Sequence, residues 1–236
     1  MISLQPIAHF QSPFSTKFGI PKQSGLARTL GGRIVFEPPF RNADYLRGLD
    51  EFDFLWMIWE FSANPHAPAS PLVRPPLLGG NETRGVFATR SPFRPNPIGL
   101  SSVKIEKIEW ETPDGPVIHV SGADLMDRTP IYDIKPYIEY ADSHTNIRNG
   151  FVDGHTSARL NVHIPETLCG QLSERQRAAL EETLSLDPRP RYQHDNERIY
   201  GFEMFGRNIR FRVNETDLHV ISIDRLQSVN CLSETT

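Results

Sequence analysis

The 236-residue sequence is poor in cysteine and lacks long apolar runs. Its two cysteines, Cys169 and Cys231, form no Cys-x-x-Cys motif, and a secreted disulfide scaffold would carry more of them. No stretch of about 18 apolar residues predicts a membrane span, and the first residues lack the basic and apolar regions of a signal peptide. We therefore expect a cytoplasmic protein with reduced thiols and no membrane anchor.

Several cofactor motifs are also missing. No Gly-x-Gly-x-x-Gly turn joins a strand to a helix. Gly80–Gly85 has the glycine spacing of a phosphate loop, but Val86 and Phe87 stand where lysine and serine or threonine are needed. The eight histidines form no His-x-His or His-Glu-x-x-His motif, so we expect no metal. A net charge of −4 does not indicate a strongly basic nucleic-acid binder, although a local basic patch would suffice.

The first part of the chain consists of short apolar runs separated by turn residues. They predict strands at 2–9, 31–36, 54–61 and 131–140, a hairpin over 101–122 and a short strand at 86–88. Consecutive strands with tight turns favour antiparallel pairing, and the alternation of strands and helices typical of doubly wound folds is absent. We predict a mainly β domain over residues 1–142.

A polar, turn-rich stretch at 143–157 predicts a linker, followed by a small α+β domain over 158–236. Ser173 is a suitable N-cap for a helix over Glu174–Leu184. Strands are predicted at 158–164, 199–205, 208–213 and 218–224.

Two polar segments are candidate binding sites. The stretch from Ala88 to Ser101 places arginines and an asparagine on a proline-stiffened backbone, which lowers the entropy cost of holding them in place. The second, from Asp124 to Pro130, offers two acids and a threonine near a bend. Composition alone favours a rigid surface loop at the first segment and a capped turn at the second.

Taken together, these segments resemble the TrmO family of tRNA adenosine-37 methyltransferases, also called TsaA-like proteins. The resemblance runs from about residue 5 to 142 and resumes at 187–192. It is carried by ordered stretches at 21–25, 47–56, 73–81, 85–101 and 129–137.

The resemblance implies a β-barrel-like methyltransferase that acts as a homodimer and uses S-adenosylmethionine as methyl donor. It also implies a tRNA partner, with N6 of N6-threonylcarbamoyladenosine at position 37 of a threonine tRNA as the acceptor. By position, the implied donor-binding residues are Pro21, Lys22, Gln23, Ser62, Ala63, Arg90, Leu100, Asp127, Arg128, Thr129 and Pro130. Arg128 replaces a glycine of the family pattern, so a different local backbone is expected if that glycine had a positive φ.

The difficult partner in this reaction is the acceptor nitrogen, because its lone pair is delocalised into the adenine ring and the carbamoyl group. A nearby proton acceptor would raise its nucleophilicity. Our hypothesis is that Asn96 binds the acceptor base and that Asp127 or Asp133 accepts the proton. For tRNA binding we name Arg94, Arg189, Arg191 and Tyr192, because arginines pair with phosphates and tyrosines stack on bases.

Two alternatives remain open at this point. One is a non-catalytic nucleotide- or RNA-binding barrel, which would share the stiff loop and the basic tail. The other is a methyltransferase with a different acceptor.

Overall fold

The computed structural model describes residues 3–64, 70–154, 158–189 and 195–226. Six strands close into an antiparallel barrel in the order β1-β2-β7-β6-β3-β8. Their bounds are β1 Ala8–Gln11, β2 Gly31–Phe36, β3 Phe54–Glu60, β6 Ile98–Glu109, β7 Val117–Ser121 and β8 Thr129–Pro136. The prediction of a mainly β, antiparallel fold unlike the doubly wound class is confirmed.

Strict alternation of side chains explains how the barrel encloses a core. In β3, every second residue is buried, and Leu55, Met57 and Trp59 face the interior. These side chains pack against inward residues of the other strands, including Phe10, Ile34, Val103 and Ile118. The hairpin predicted over 101–122 is formed by β6 and β7, which are joined by a turn in which the Gly115 N–H donates to Thr112 O at 3.0 Å.

The C-terminal part is a second layered unit. Strands β10 Tyr200–Met204, β11 Arg207–Asn214 and β12 Asp217–Arg225 form an antiparallel meander, and β9 Asn161–His163 joins β12 in parallel. Helix α3, Glu174–Ser185, buries Ala179, Leu180 and Leu184 in the core that it shares with this sheet. The predicted N-cap at Ser173 is confirmed, and the structure adds a capping box, in which Ser173 and Gln176 are bonded to each other's backbone N–H groups. Two shorter helices are α1 Glu139–Asp142 and α2 Glu166–Cys169.

Two local predictions need correction. The first strand begins at Ala8 rather than at residue 2, because pairing with β2 and β8 begins there. Residues Val86–Ala88 form a 3-10 turn rather than a strand. This turn directly follows β5 Arg84–Gly85, which pairs with β4 Leu72–Val73 in a two-residue ladder. Asn42 caps a 3-10 turn over Ala43–Leu46, with its side chain accepting from the Asp44 N–H at 2.9 Å.

The connection between β1 and β2 belongs to both halves of the molecule. Phe14, Ala27 and Leu30 are buried in the C-terminal core rather than in the barrel. Phe14 stacks on Phe202 of β10, with ring centroids 6.2 Å apart. The segment 12–30 therefore ties the barrel to the C-terminal sheet, while the division into 1–142, 143–157 and 158–236 stays a prediction.

Candidate functional site at one end of the barrel

The topology brings three loops to the same end of the barrel. Strands β1, β3 and β7 end there, and β2, β6 and β8 begin there, because neighbouring strands run antiparallel. The loops are residues 12–30, 61–97 and 122–128. The donor-binding residues implied by the family resemblance lie in these loops or at the adjoining ends of β6 and β8. Segments separated by up to about a hundred residues are thus gathered into one candidate site.

A direct contact joins two of these loops. The Arg90 guanidinium donates to the Gln23 side-chain oxygen, which links loop 61–97 to loop 12–30. Nearby in sequence, Pro21 is buried, whereas Lys22 and Arg90 are exposed. Two residues assigned to donor binding from separate stretches of sequence are therefore in contact.

A half-buried carboxylate from the third loop, Asp124, is close enough to Arg90 for their charges to interact. Ser101 donates to Asp124 Oδ1 at 2.6 Å and itself accepts from Trp59 Nε1 at 2.9 Å. The Ser24 N–H also bonds to Asp124. Burial raises the pKa of Asp124, while the Ser101 hydroxyl, backbone N–H groups and the Arg90 charge oppose that rise. Asp124 therefore connects all three loops through hydrogen bonds and charge.

Asp124 is the functional candidate that sequence reasoning missed. It falls inside the polar segment from Asp124 to Pro130, but no pattern distinguished it from Asp127. Its contacts span residues Ser24 and Ser101, which are distant in sequence, so only the closed barrel reveals its position.

The outer wall of the barrel beside these loops presents Leu100, Ile58 and Asp133 in one cross-strand row. Ile58 pairs with Leu100 on one side and with Asp133 on the other. Residues directly opposite each other in such pairs lie about 5 Å apart at their Cβ atoms and share a face. Leu100 is 58 % exposed, so it offers an apolar surface next to the loops. The Asp133 carboxylate pairs with Lys135 at 2.8 Å and accepts from the Ile134 N–H at 3.0 Å.

Asp127 and Arg128 occupy a different side of the same barrel end. Asp127 Oδ1 accepts from the Ser12 N–H at 3.0 Å, and the Arg128 N–H donates to Phe10 O at 2.7 Å. Arg128 has φ of 62°, the left-handed conformation that favours glycine. The expectation of a different local backbone is therefore wrong: arginine adopts the positive φ here. Thr129 is buried, and its hydroxyl donates to Met126 O at 2.7 Å.

The remaining predicted residues lie close to these loops but form no single cluster. Asn96 is exposed, and its carbonyl accepts from the Ile98 N–H at 2.7 Å. The exposed Ser62 and Ala63 follow β3 directly, beside Phe61, whose N–H donates to Pro97 O at 2.8 Å. Asn96, Asp127 and Asp133 all lie in described parts of the chain, and no hydrogen bond joins any two of them. Assignment of the proton acceptor therefore stays a prediction.

The residues predicted to bind tRNA have different surroundings. Arg94 is half-buried and donates to Thr89 O at 3.1 Å, which braces the loop. The Arg189 side chain is 8 % exposed and binds both oxygens of Asp187, at 2.8 and 2.9 Å. Although burial acts in the opposite direction, this bidentate contact lowers the pKa of Asp187. Arg189 is thus engaged within the fold and not displayed for phosphates, and Arg191 and Tyr192 lie outside the described residues.

The described residues contain neither a cluster of metal ligands nor a membrane-spanning helix. No group of three or more histidine, cysteine, aspartate or glutamate side chains in those ranges is arranged to hold a metal ion. Across the same ranges, no helix has the length and apolarity needed to span a membrane.

Fold and site together define a β-barrel protein whose polar end loops form a candidate ligand site, with an α+β extension. Comparison with known proteins narrows this class. The family model described as the tRNA-methyltransferase O N-terminal domain matches residues 9–143, and the TrmO C-terminal domain matches residues 157–226. The chain belongs to the TrmO family. This membership confirms the resemblance drawn from the sequence and the enzyme class that it implies.

Individual relatives agree with this membership. The chain is 33 % identical over 228 residues to a tRNA (adenine(37)-N6)-methyltransferase of Escherichia coli (strain K12), covering 93 % of this chain and 97 % of that protein. It is 37 % identical over 224 residues to RcsF of Pseudomonas aeruginosa, covering 92 % of this chain and 94 % of the relative. That relative is named a putative S-adenosylmethionine-dependent methyltransferase. A crystal structure of TrmO from P. aeruginosa superposes with a TM-score of 0.76 at 30 % identity, covering 96 % of this chain and 98 % of that one.

Proposed function

We propose that this chain transfers a methyl group from S-adenosylmethionine to N6 of N6-threonylcarbamoyladenosine at position 37 of a threonine tRNA, as a cytoplasmic homodimer. The observation that carries the proposal is the convergence of three loops at one barrel end through Gln23, Arg90 and Asp124. The name of the E. coli relative supports an adenine at position 37 as the target.

The residues at this barrel end suit S-adenosylmethionine, which carries a carboxylate but has a net positive charge. The exposed Arg90 guanidinium is a suitable partner for the donor's carboxylate, and the exposed Leu100 offers an apolar surface for its adenine ring. Pro21, Lys22 and Gln23, backbone groups of Ser62 and Ala63, and the turn over Asp127–Pro130 complete the proposed donor site. The bound donor supplies an already activated methyl group, so these residues have to align it with the acceptor and exclude water.

On the acceptor side, we assign base binding to Asn96, because it is exposed on a proline-flanked loop beside β6. Asp133 and Asp127 are the two candidates for accepting the N6 proton. Asp133 lies on the same outer wall of the barrel as Leu100, whereas Asp127 lines a cavity on the opposite side of the barrel end. Loss of turnover in Asn96→Ala with donor affinity intact would support the assignment, and full activity in that variant would remove it.

Exposed apolar side chains on loop 61–97 and at the start of β6 support a homodimer. Phe87 is 78 % exposed, and Leu72, Phe93 and Ile98 are also exposed on the loop or the start of β6. An apolar patch of this kind marks an interaction surface more often than a solvated one. Sedimentation of the wild type at twice the chain mass, and of Phe87→Glu at the chain mass, is the expected result; a wild-type monomer would contradict the dimer.

The deciding experiment on function is methyl transfer with defined substrates. Purified chain is incubated with S-adenosylmethionine and threonine tRNA that either carries or lacks the threonylcarbamoyl group, and nucleosides are identified by mass spectrometry. The proposal expects a 14 Da gain only on the modified adenosine. Methylation of unmodified tRNA would assign a different acceptor, and donor or tRNA binding without any transfer would leave a non-catalytic barrel.

A further inference from the structure

A cavity of about 810 Å³ opens between the barrel wall and the C-terminal unit. We call it the interdomain cleft. Of the residues assigned above to the donor or acceptor, only Asp127 and Arg128 line it. The Gln23–Arg90 contact lies outside it, so the cleft needs an explanation of its own. The polar side chains that give the cleft its character are those of Gln11, Arg33, His119, Asp127, Arg128 and Arg175.

The barrel side of the interdomain cleft is a polar cross-strand row. Arg33 of β2 pairs with Gln11 of β1 on one side and with His119 of β7 on the other. Directly opposed residues of antiparallel strands project to the same face, so the three side chains stand side by side. Arg33 is exposed, while Gln11 and His119 are half-buried.

The opposite side of the interdomain cleft adds two more guanidinium groups. Arg175 of α3 approaches Gly31 of β2 so closely that a Cβ at residue 31 would lie 3.3 Å from Arg175 Nη2. The missing side chain at Gly31 thus leaves space for this arginine. Arg128 enters from loop 122–128 on its left-handed backbone.

None of these three arginines takes part in an ion pair with another described residue. In the ranges that the structure describes, no carboxylate lies within ion-pair distance of Arg33, Arg128 or Arg175. The cleft contains one carboxylate, Asp127, which already accepts from the Ser12 N–H. Glu37 and Glu109 stand at its border, but they are bonded to the lining histidines His9 and His119, and the charge of Glu106 reaches Arg175 without an ion pair. Three guanidinium groups without an ion pair therefore form a local positive site in a chain of net charge −4, and such a site favours an anionic ligand.

We propose that the interdomain cleft binds the ribose–phosphate backbone of the RNA substrate, an inference that rests on the proposed function. Guanidinium groups bind phosphate oxygens in a bidentate manner, and three of them spread over one open cleft suit successive phosphates better than a single small anion. Phe205 is the one large aromatic ring among the lining residues, so the cleft favours backbone over stacked bases. Because Asp127 and Arg128 belong to both the cleft and the loop-bearing barrel end, a strand held here reaches the same end of the barrel as the proposed methyl-transfer site.

The test compares a double charge reversal with a matched control in the full-length chain. Arg33→Glu/Arg175→Glu removes two cleft cations, and Arg47→Glu/Arg148→Glu makes the same net charge change at exposed arginines outside the cleft. Affinity for threonine tRNA and for S-adenosylhomocysteine is measured for both variants, with tRNA titrations between about 50 and 200 mM salt. Thermal melting checks the fold, and Arg33→Gln/Arg175→Gln, compared with Arg47→Gln/Arg148→Gln, replaces the reversal if it does not fold.

We expect the cleft variant to bind tRNA at least tenfold more weakly than the control, with the slope of log K against log salt shallower by about two. Affinity for S-adenosylhomocysteine should change less than twofold in either variant. Equal tRNA affinity and equal salt slopes in the two variants would overturn the cleft assignment while methylation by the wild type stands. A wild type that neither binds nor methylates tRNA would instead overturn the proposed function and the cleft assignment with it.

Discussion

At the scale of single residues, Arg90 is the contact that joins two loops of the proposed donor site. Its guanidinium bonds to Gln23 and its charge acts on the half-buried Asp124. Replacing it with alanine removes a charged hydrogen bond and leaves Asp124 without its nearby cation, so affinity for S-adenosylhomocysteine should fall at least tenfold. Calorimetric titration measures this effect. Arg47→Ala, an exposed arginine at the opposite end of the barrel, is the control and should keep wild-type affinity.

Asp124 gives a pH-dependent prediction. Because burial raises its folded-state pKa above the ordinary value of about 4, the folded state binds this proton more tightly than the unfolded state does. The carboxylate therefore reduces the free energy of unfolding as pH rises from about 4 through the raised pKa. Asp124→Asn removes this cost and keeps an oxygen for Ser101. Urea unfolding from pH 4 to 7 should show the variant gaining stability relative to wild type as pH increases; a constant or shrinking difference would contradict this account of Asp124.

Two substitutions at Arg128 test the backbone conformation at this position, because both remove the charge and they differ in how well they tolerate a positive φ. With φ of 62°, glycine relieves the strain of an L-residue but adds freedom to the unfolded chain, so Arg128→Gly should change the free energy of unfolding by between 0 and about +1 kcal/mol. Arg128→Val places a β-branched residue in the same conformation and should lose about 1–3 kcal/mol. Denaturant melts of the two variants provide the comparison. Equal stability of the glycine and valine variants would argue against the left-handed conformation.

Residue patterns in the sequence identified one half of the site better than the other. The proline-stiffened stretch around Arg90 and the turn around Asp127 were both candidate binding sites, which the family resemblance favoured and composition alone did not, and both lie at the same barrel end. Composition could not supply their partners, because Gln23 and Asp124 reach Arg90 only after the barrel closes. The tail arginines illustrate the converse: Arg189 fits a tRNA-binding pattern in sequence, yet Asp187 holds it within the fold.

At the scale of elements, the strands were the most predictable part of the chain. Alternating burial in β3 and the turn between β6 and β7 are local properties, so sequence alone located them. The 12–30 segment was not predictable in this way, because it has no regular structure and its anchors lie across the molecule. Phe14 packs on Phe202, and the Phe14 carbonyl accepts from the Asp127 N–H at 2.9 Å.

This segment should transmit packing defects to the donor site. Phe14→Leu weakens its anchor in the C-terminal core and should cost about 1–2 kcal/mol of unfolding free energy. Because Pro21–Gln23 lie on the same segment, affinity for S-adenosylhomocysteine should also fall several-fold. Phe36→Leu, a similar change in the barrel core at the far end of β2, is the matched control. If both variants lose stability equally and both retain wild-type affinity, segment 12–30 does not position the donor site.

At the scale of the whole molecule, closure of the barrel gathers loops from distant parts of the chain at one end. The antiparallel order β1-β2-β7-β6-β3-β8 brings loops 12–30, 61–97 and 122–128 to one end, and the connections 37–53 and 110–116 to the other. The sequence predicted strands and family but not this division of ends, because closure depends on pairings between distant strands. The interdomain cleft was equally hidden, since Arg33, Arg128 and Arg175 come from three separate elements.

The most direct measurement is hydrogen–deuterium exchange with and without saturating S-adenosylhomocysteine. Our account predicts slower exchange in residues 12–30, 70–97 and 122–128, with connections 37–53 and 110–116 unchanged. Protection at the opposite barrel end, or no protection at a concentration where calorimetry shows binding, would contradict the placement of the donor site among the three loops.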